Sequence, residues 1–166
     1  KDSHENIEKR LYLTRRRIEN KIKALNINDF YICSLSTETI VYKGMFLAEQ
    51  LSEFYPDLLD PDFKSKFAIY HQRYSTNTFP TWSLAQPFRV IAHNGEINTL
   101  KGNINWMSAH EPRITHPFFN ERINDLKPIL DSDASDSASL DAAFELLVQT
   151  DRDLPMAKSM IIPEAW

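Results

Sequence analysis

"IAHNGEINTLKGNINWM", residues Ile91 to Met107, carries two of the three glycines in this chain. An Asn-Gly pair between apolar runs is first of all a hairpin turn, because both residues tolerate positive φ. The same pair has a second chemistry. The asparagine NH2 and the glycine backbone N–H are neighbouring donors, and two such donors make an oxyanion hole. A residue without a Cβ also lets its amide come close to a ligand. The choice between these readings of Asn94 and Gly95 depends on what surrounds them.

Working outward, Phe88 to Ala92 reads as a strand entering the motif. Leu100 to Ala109 reads as a helix leaving it, ended by Glu111-Pro112. Upstream, Phe67 to Tyr74 is a further strand, followed by the irregular, proline-bearing loop "STNTFPTWSLAQP". Phe30–Leu35 and Thr39–Tyr42 read as a strand pair joined by a polar turn and closed by Gly44. "FLAEQLSEFY" is a short helix stopped by Pro56. Asn6 to Asn26 is an amphipathic helix with Ile7, Leu11, Ile18, Ile22 and Leu25 on its apolar side. Downstream, "SDSASLDAAFELLVQT" opens on cap-type residues and runs as a helix to about Thr150. Strand pairs mixed with helices predict an α+β or layered α/β sandwich.

Composition narrows the function. The 166 residues suffice for one domain with a core, at 42% hydrophobic and 11% aromatic. With 19 basic and 23 acidic residues the net charge is −4, which argues against a nucleic-acid partner. The triplet Arg15-Arg16-Arg17 reads as a solvated helix face. No apolar run approaches the length that spans a membrane. One cysteine, Cys33, excludes a disulfide framework and reads as a small buried hydrophobe within a strand.

Several motifs fail on spacing. Glycine only at 44, 95 and 102 leaves no room for a P-loop or a GxGxxG fingerprint. "DSDASD" resembles the start of a calcium loop, but counting from Asp131 puts Asp136 where glycine is needed and Ala142 where glutamate is needed. The histidines at 71, 93, 110 and 116 lack the HxxxH spacing of a zinc site.

What survives is a set of polar residues where strands hand over to loops: Arg73 and Thr76 in "HQRYSTNTFP", Asn94 and Gly95 in "AHNGEI", and Asp136 in "SDSAS". An arginine fork holds a carboxylate, and an aspartate holds an ammonium group. An Asn-Gly pair holds an oxyanion. Taken singly these are a surface ion pair, an N-cap and a turn. Taken together they describe a site for an α-amino acid whose side-chain carbonyl is attacked.

The stretches "FYICSLSTETIVYKG", "RYSTNTFPTW", "PFRVIAHNGEINTLKGNINWM", "SDASDSASLD" and "IPEAW" closely resemble the class II glutamine amidotransferase domain of glutamate synthase large subunits. The "LYLTRRRIEN" helix fits as well, and so do the separations between Arg73, Asn94 and Asp136. The resemblance implies an Ntn-hydrolase fold, a four-layer αββα sandwich, of which residues 1–166 are a part truncated at both ends. It implies hydrolysis of L-glutamine to glutamate and ammonia, with the ammonia used for reductive amination of 2-oxoglutarate. Arg73 and Thr76 would hold the substrate carboxylate and Asp136 its amino group. Asn94 and the Gly95 amide would stabilise the tetrahedral oxyanion. The family nucleophile is an N-terminal cysteine whose α-amino group is the base. This chain starts at Lys1, so that cysteine is expected upstream, and the 166 residues alone are expected to be inactive.

The resemblance further implies FMN and an iron–sulfur cluster elsewhere in the full-length protein, with no cofactor in these residues. It implies synthase domains in the same polypeptide as partners, a small reductase subunit or ferredoxin as electron donor, and a cytoplasmic or plastid setting. Two other readings compete: an amidotransferase domain serving a different synthase, against which the extended "STNTFP" and "LKGNINWM" motifs speak, and a catalytically inactive binding module.

Overall fold

The computed structural model describes residues 3–72, 79–131 and 134–164. Among these described residues five α-helices carry the architecture: α1 (His4–Ala24), α2 (Leu51–Phe54), α3 (Leu100–His110), α4 (Asp136–Gln149) and α5 (Leu154–Ile161). Short 3-10 turns lie between them, the longest at Asn120–Leu126.

Local chemistry sets the helix starts. Ser3 caps α1 by accepting from the Asn6 N–H, with Glu5 in the first turn and Lys21 and Lys23 in the last, which suits the helix dipole. Ser135 caps α4 by accepting from the Ala138 N–H, and Asp153 caps α5 by accepting from the Met156 N–H. α3 begins differently. Its N-cap, Thr99, sits in the left-handed region at φ 64° and makes no side-chain cap bond. A β-branched residue meets a steric cost of about 1–2 kcal/mol in that region.

The core gathers where α1 meets the Asn120–Leu126 turn and α4. Tyr12, Leu13, Ile114, Phe119, Leu126, Ile129 and Leu146 are buried together there. α1 does not turn the expected stripe inward. Ile7 and Ile18 are exposed and Leu25 is 68% exposed, while Lys9, Tyr12, Leu13 and Arg15 are buried. The reason is that the polar members of this inner face are paired. Lys9 donates to Glu5 and Asp151, and Arg15 donates to Glu19 at 2.8 Å and Glu145 at 2.5 Å. Charges satisfied in this way can enter a core that a hydrophobic stripe was expected to fill. The arginine triplet is accordingly not one solvated face. Arg15 is buried, Arg16 donates to the carbonyls of Leu126 and Pro128, and only Arg17 is exposed, beside Asp125.

The segments expected as strands form no strand among the described residues. Residues 30–35 and 39–42 are tied by the Val41 N–H donating to Ser34 Oγ, a side chain standing in for a ladder partner. Residues 67–72 are exposed and Tyr74 lies outside the described residues. Residues 88–92 are bent at Arg89 and Val90, and the Phe88 N–H donates to the Ile91 carbonyl, which closes a turn where a strand was expected.

Candidate functional site

The segment Phe88–Asn98 has no regular structure of its own, so its shape must come from elsewhere. It comes from α4. Asp141, 1% exposed, accepts from three consecutive backbone amides: Val90 at 2.8 Å and Ile91 at 3.0 Å on Oδ1, and Arg89 at 3.3 Å on Oδ2. Successive amides of a strand point to opposite sides, so one carboxylate can collect three only from a curled backbone. Towards the helix N-terminus, Ser137 Oγ lies 2.6 Å from His93 Nε2. In the first turn, Asp136 Oδ2 accepts from the Ile97 N–H at 2.8 Å, and its Oδ1 accepts from the Ser137 N–H. Three side chains of one helix thus grip the segment, two before the Asn94-Gly95 pair and one after it.

The structure therefore brings Asp136 against the segment that holds Asn94 and Gly95. Arg73 and Thr76 lie outside the described residues. The SDS stretch divides its labour: Ser135 is the N-cap, whereas Asp136 is the first helical residue and turns its carboxylate to Ile97. Asn94 and Gly95 do not form the expected hairpin turn. Neither has positive φ, and the chain only bends at Gly95. A Cβ placed on Gly95 would meet nothing nearer than His93 Nδ1 at 3.6 Å, an ordinary contact. Both residues are exposed.

A second charged layer lies behind the segment. The Arg89 guanidinium donates to the Ile32 carbonyl and to Glu19 at 2.7 Å, and stacks 4.2 Å from the Tyr31 ring centroid. Burial works against the charge on Arg15, but Glu145 and Glu19 more than offset it and hold the guanidinium protonated. Lys43, 4% exposed, donates to the Ser83 carbonyl at 2.9 Å and lies over the rings of Phe88 and Tyr31. Burial pushes its ammonium down to about 8. Cys33 is half-buried, not in a strand, and burial pushes its thiol up. A nucleophilic thiol needs the opposite shift.

Sequence reasoning missed His93, Ser137 and Asp141. The available signal was the helical register of α4: Asp136, Ser137 and Asp141 fall on one side of it at i, i+1 and i+5.

The family model for class II glutamine amidotransferases matches residues 1–166. The chain belongs to that family. Among its relatives, the glutamate synthase [NADPH] large chain of Azospirillum brasilense is 64% identical over 163 residues, covering 98% of this chain and 11% of that protein. The ferredoxin-dependent glutamate synthase of Pyropia yezoensis is 50% identical over 170 residues, covering 99% and 11%. The chloroplastic ferredoxin-dependent glutamate synthase of Oryza sativa subsp. japonica is 48% identical over 166 residues, covering 99% and 10%. The amidotransferase chain described here thus spans about a tenth of the length of these relatives. No helix among its described residues is long and apolar enough to cross a membrane.

Proposed function

We propose that these residues are part of the glutaminase domain of a glutamate synthase, which hydrolyses L-glutamine to glutamate and passes the ammonia on for reductive amination of 2-oxoglutarate. The observation that carries this reading is Gly95. Its φ is not positive and a Cβ would fit beside it, so the chain's own conformation does not demand glycine there. Close approach of a ligand to the Gly95 amide does. Asn94 beside it is exposed, and no hydrogen bond among the described residues takes up its carboxamide. The pair is then the oxyanion hole, with Asp136 holding the substrate ammonium and Arg73 and Thr76 its carboxylate.

The nucleophile in this reading is a cysteine outside these residues, because the thiol of Cys33 is raised rather than activated. The four-layer αββα sandwich is the fold proposed for the complete domain, with the segments around residues 30–42 and 67–72 as strands of its sheets. FMN and an iron–sulfur cluster belong elsewhere in the polypeptide. A cluster takes several cysteine thiolates, and this chain has one cysteine. The electron donor, a reductase subunit or ferredoxin, would act at those other domains, in the cytoplasm or a plastid.

The test is glutaminase kinetics on the full-length protein. Asn94→Ala should lower kcat by roughly 10²–10³ with little change in KM, since an oxyanion donor acts mainly in the transition state. Asn94→Asp should be folded and equally impaired, because it sets a negative charge beside the developing oxyanion. A folded, fully active Asn94→Asp protein overturns the reading.

A further inference from the structure

We propose that Asp141 is a positioning residue for the oxyanion hole: through the amides of residues 89–91 it fixes where Asn94 and Gly95 stand. This rests on the reading of Asn94 and Gly95 as the oxyanion donors. Asp141 touches neither of them. It lies inside the fold and accepts three main-chain bonds at the point where the chain bends into the motif. A buried carboxylate with its oxygens committed to N–H donors is a rigid anchor, because releasing any one bond leaves a charge without its partner.

The placement has consequences for the donors. Ile91 lies three residues before Asn94, and among the described residues the His93–Ser137 contact is the side-chain bond between them. Without Asp141, residues 89–91 keep the Phe88–Ile91 turn and the Arg89 side-chain bonds but lose their amide ties to α4, which leaves the His93–Ser137 contact as the upstream tie to that helix. The downstream end stays attached through Asp136 and Ile97. The segment then pivots about its remaining anchors, and both donors shift together. A displacement on the order of 1 Å at a reacting centre costs about 10²-fold in rate. Asp136 keeps its own bonds in this arrangement, so substrate affinity is spared while the transition state is not.

The experiment compares Asp141→Ala, Asp141→Asn, Asn94→Ala and the double variants in the full-length protein, with kcat, KM for glutamine and a thermal melt for each. Asp141→Ala should lower kcat by roughly 10–100-fold with KM within about twofold. Asp141→Asn keeps one oxygen for Val90 and Ile91 but turns an NH2 towards the Arg89 amide. It should fold and lose roughly three- to tenfold in kcat, an intermediate rank. In the Asn94→Ala background each Asp141 variant should cost several-fold less than it does alone, because the donor it positions is already gone. A structural role elsewhere would leave the losses multiplicative. Multiplicative losses, or a folded Asp141→Asn with unchanged kcat, overturn the proposal even if Asp141→Ala fails to fold. If Asn94→Ala itself leaves kcat intact, the oxyanion reading fails and takes this one with it. If Asn94→Ala lowers kcat and the Asp141 variants do not, only the role of Asp141 is lost.

Discussion

Asp136 and Ile97, 39 residues apart, meet at 2.8 Å, the carboxylate Oδ2 accepting from the backbone N–H. This bond sets the carboxylate facing the strapped segment rather than leaving it as a solvent-facing helix-start residue. If its remaining lone pair holds a substrate ammonium, Asp136→Asn removes the charge and keeps an oxygen for Ile97, while turning an NH2 towards Ser137. Steady-state kinetics of the full-length protein should then show KM for glutamine raised roughly 10–100-fold, the scale of a hydrogen bond to a charged group. The melting temperature should fall only modestly, by the lost bond to the Ser137 N–H. An unchanged KM would reduce Asp136 to a tie between α4 and the segment.

Gly95 gives a separate test. Because a Cβ there has room and φ is not positive, Gly95→Ala should fold with wild-type stability. It should nonetheless lose activity, by at least roughly tenfold in kcat/KM, because the methyl group occupies the approach to the amide. A hairpin-turn role predicts the reverse pattern, with stability lost and chemistry kept. A melt and a glutaminase assay on the same preparation separate the two.

Arg15 bears on stability rather than chemistry. It is 2% exposed and bridges Glu19 on its own helix and Glu145 on α4. Arg15→Ala leaves Glu145 without its ion-pair partner inside the fold and should cost roughly 3–5 kcal/mol in urea unfolding. Replacing the pair together, as Arg15→Met with Glu145→Leu, should recover most of that loss, because Glu19 still has Arg16 and Arg89.

Lys43 makes stability depend on pH on the alkaline side. Its folded value, pushed by burial to about 8, lies below the ordinary 10.5. The unfolded chain therefore binds more protons between these values, and stability rises with pH across that window. The gain is about 3 kcal/mol by the usual conversion, complete above pH 10.5 and absent below pH 8. Lys43→Met should flatten the curve between pH 8 and 10.5 and raise stability at pH 7. Chemical denaturation across that range reads both. A slope that survives in Lys43→Met would assign it to another group.

The helices were legible because their signals are local. Ser3, Ser135 and the Glu111-Pro112 stop lie within a turn of the ends they set, and α1, α3 and α4 fall within two residues of their expected spans. α5 carries the same kind of local signal, Asp153 before Leu154-Pro155, and is a helix beyond those expected from the sequence. The strands and the inward face of α1 were not legible for one shared reason. Whether Phe88–Ala92 extends or curls depends on a carboxylate 50 residues away, and whether Arg15 or Ile18 turns inward depends on Glu145. Periodicity reports which side chains are apolar, not which charges will find partners. The site divides likewise: Asn94, Gly95 and Asp136 are candidates from sequence chemistry, and α4 is legible as a helix, but the grip of Asp141 and Ser137 on residues 89–93 joins positions too far apart for any local signal.

The three anchors on α4 also tie two timescales together. The amides of Val90, Ile91 and Ile97 are sheltered by side chains of that helix rather than by a ladder or turn of their own segment. Their protons can trade with solvent only when the segment parts from the side chains of α4, so they report the free energy of that separation. A chain segment that looks irregular thereby exchanges only as fast as it parts from a packed helix, and the freedom of Asn94 and Gly95 is set by the same separation.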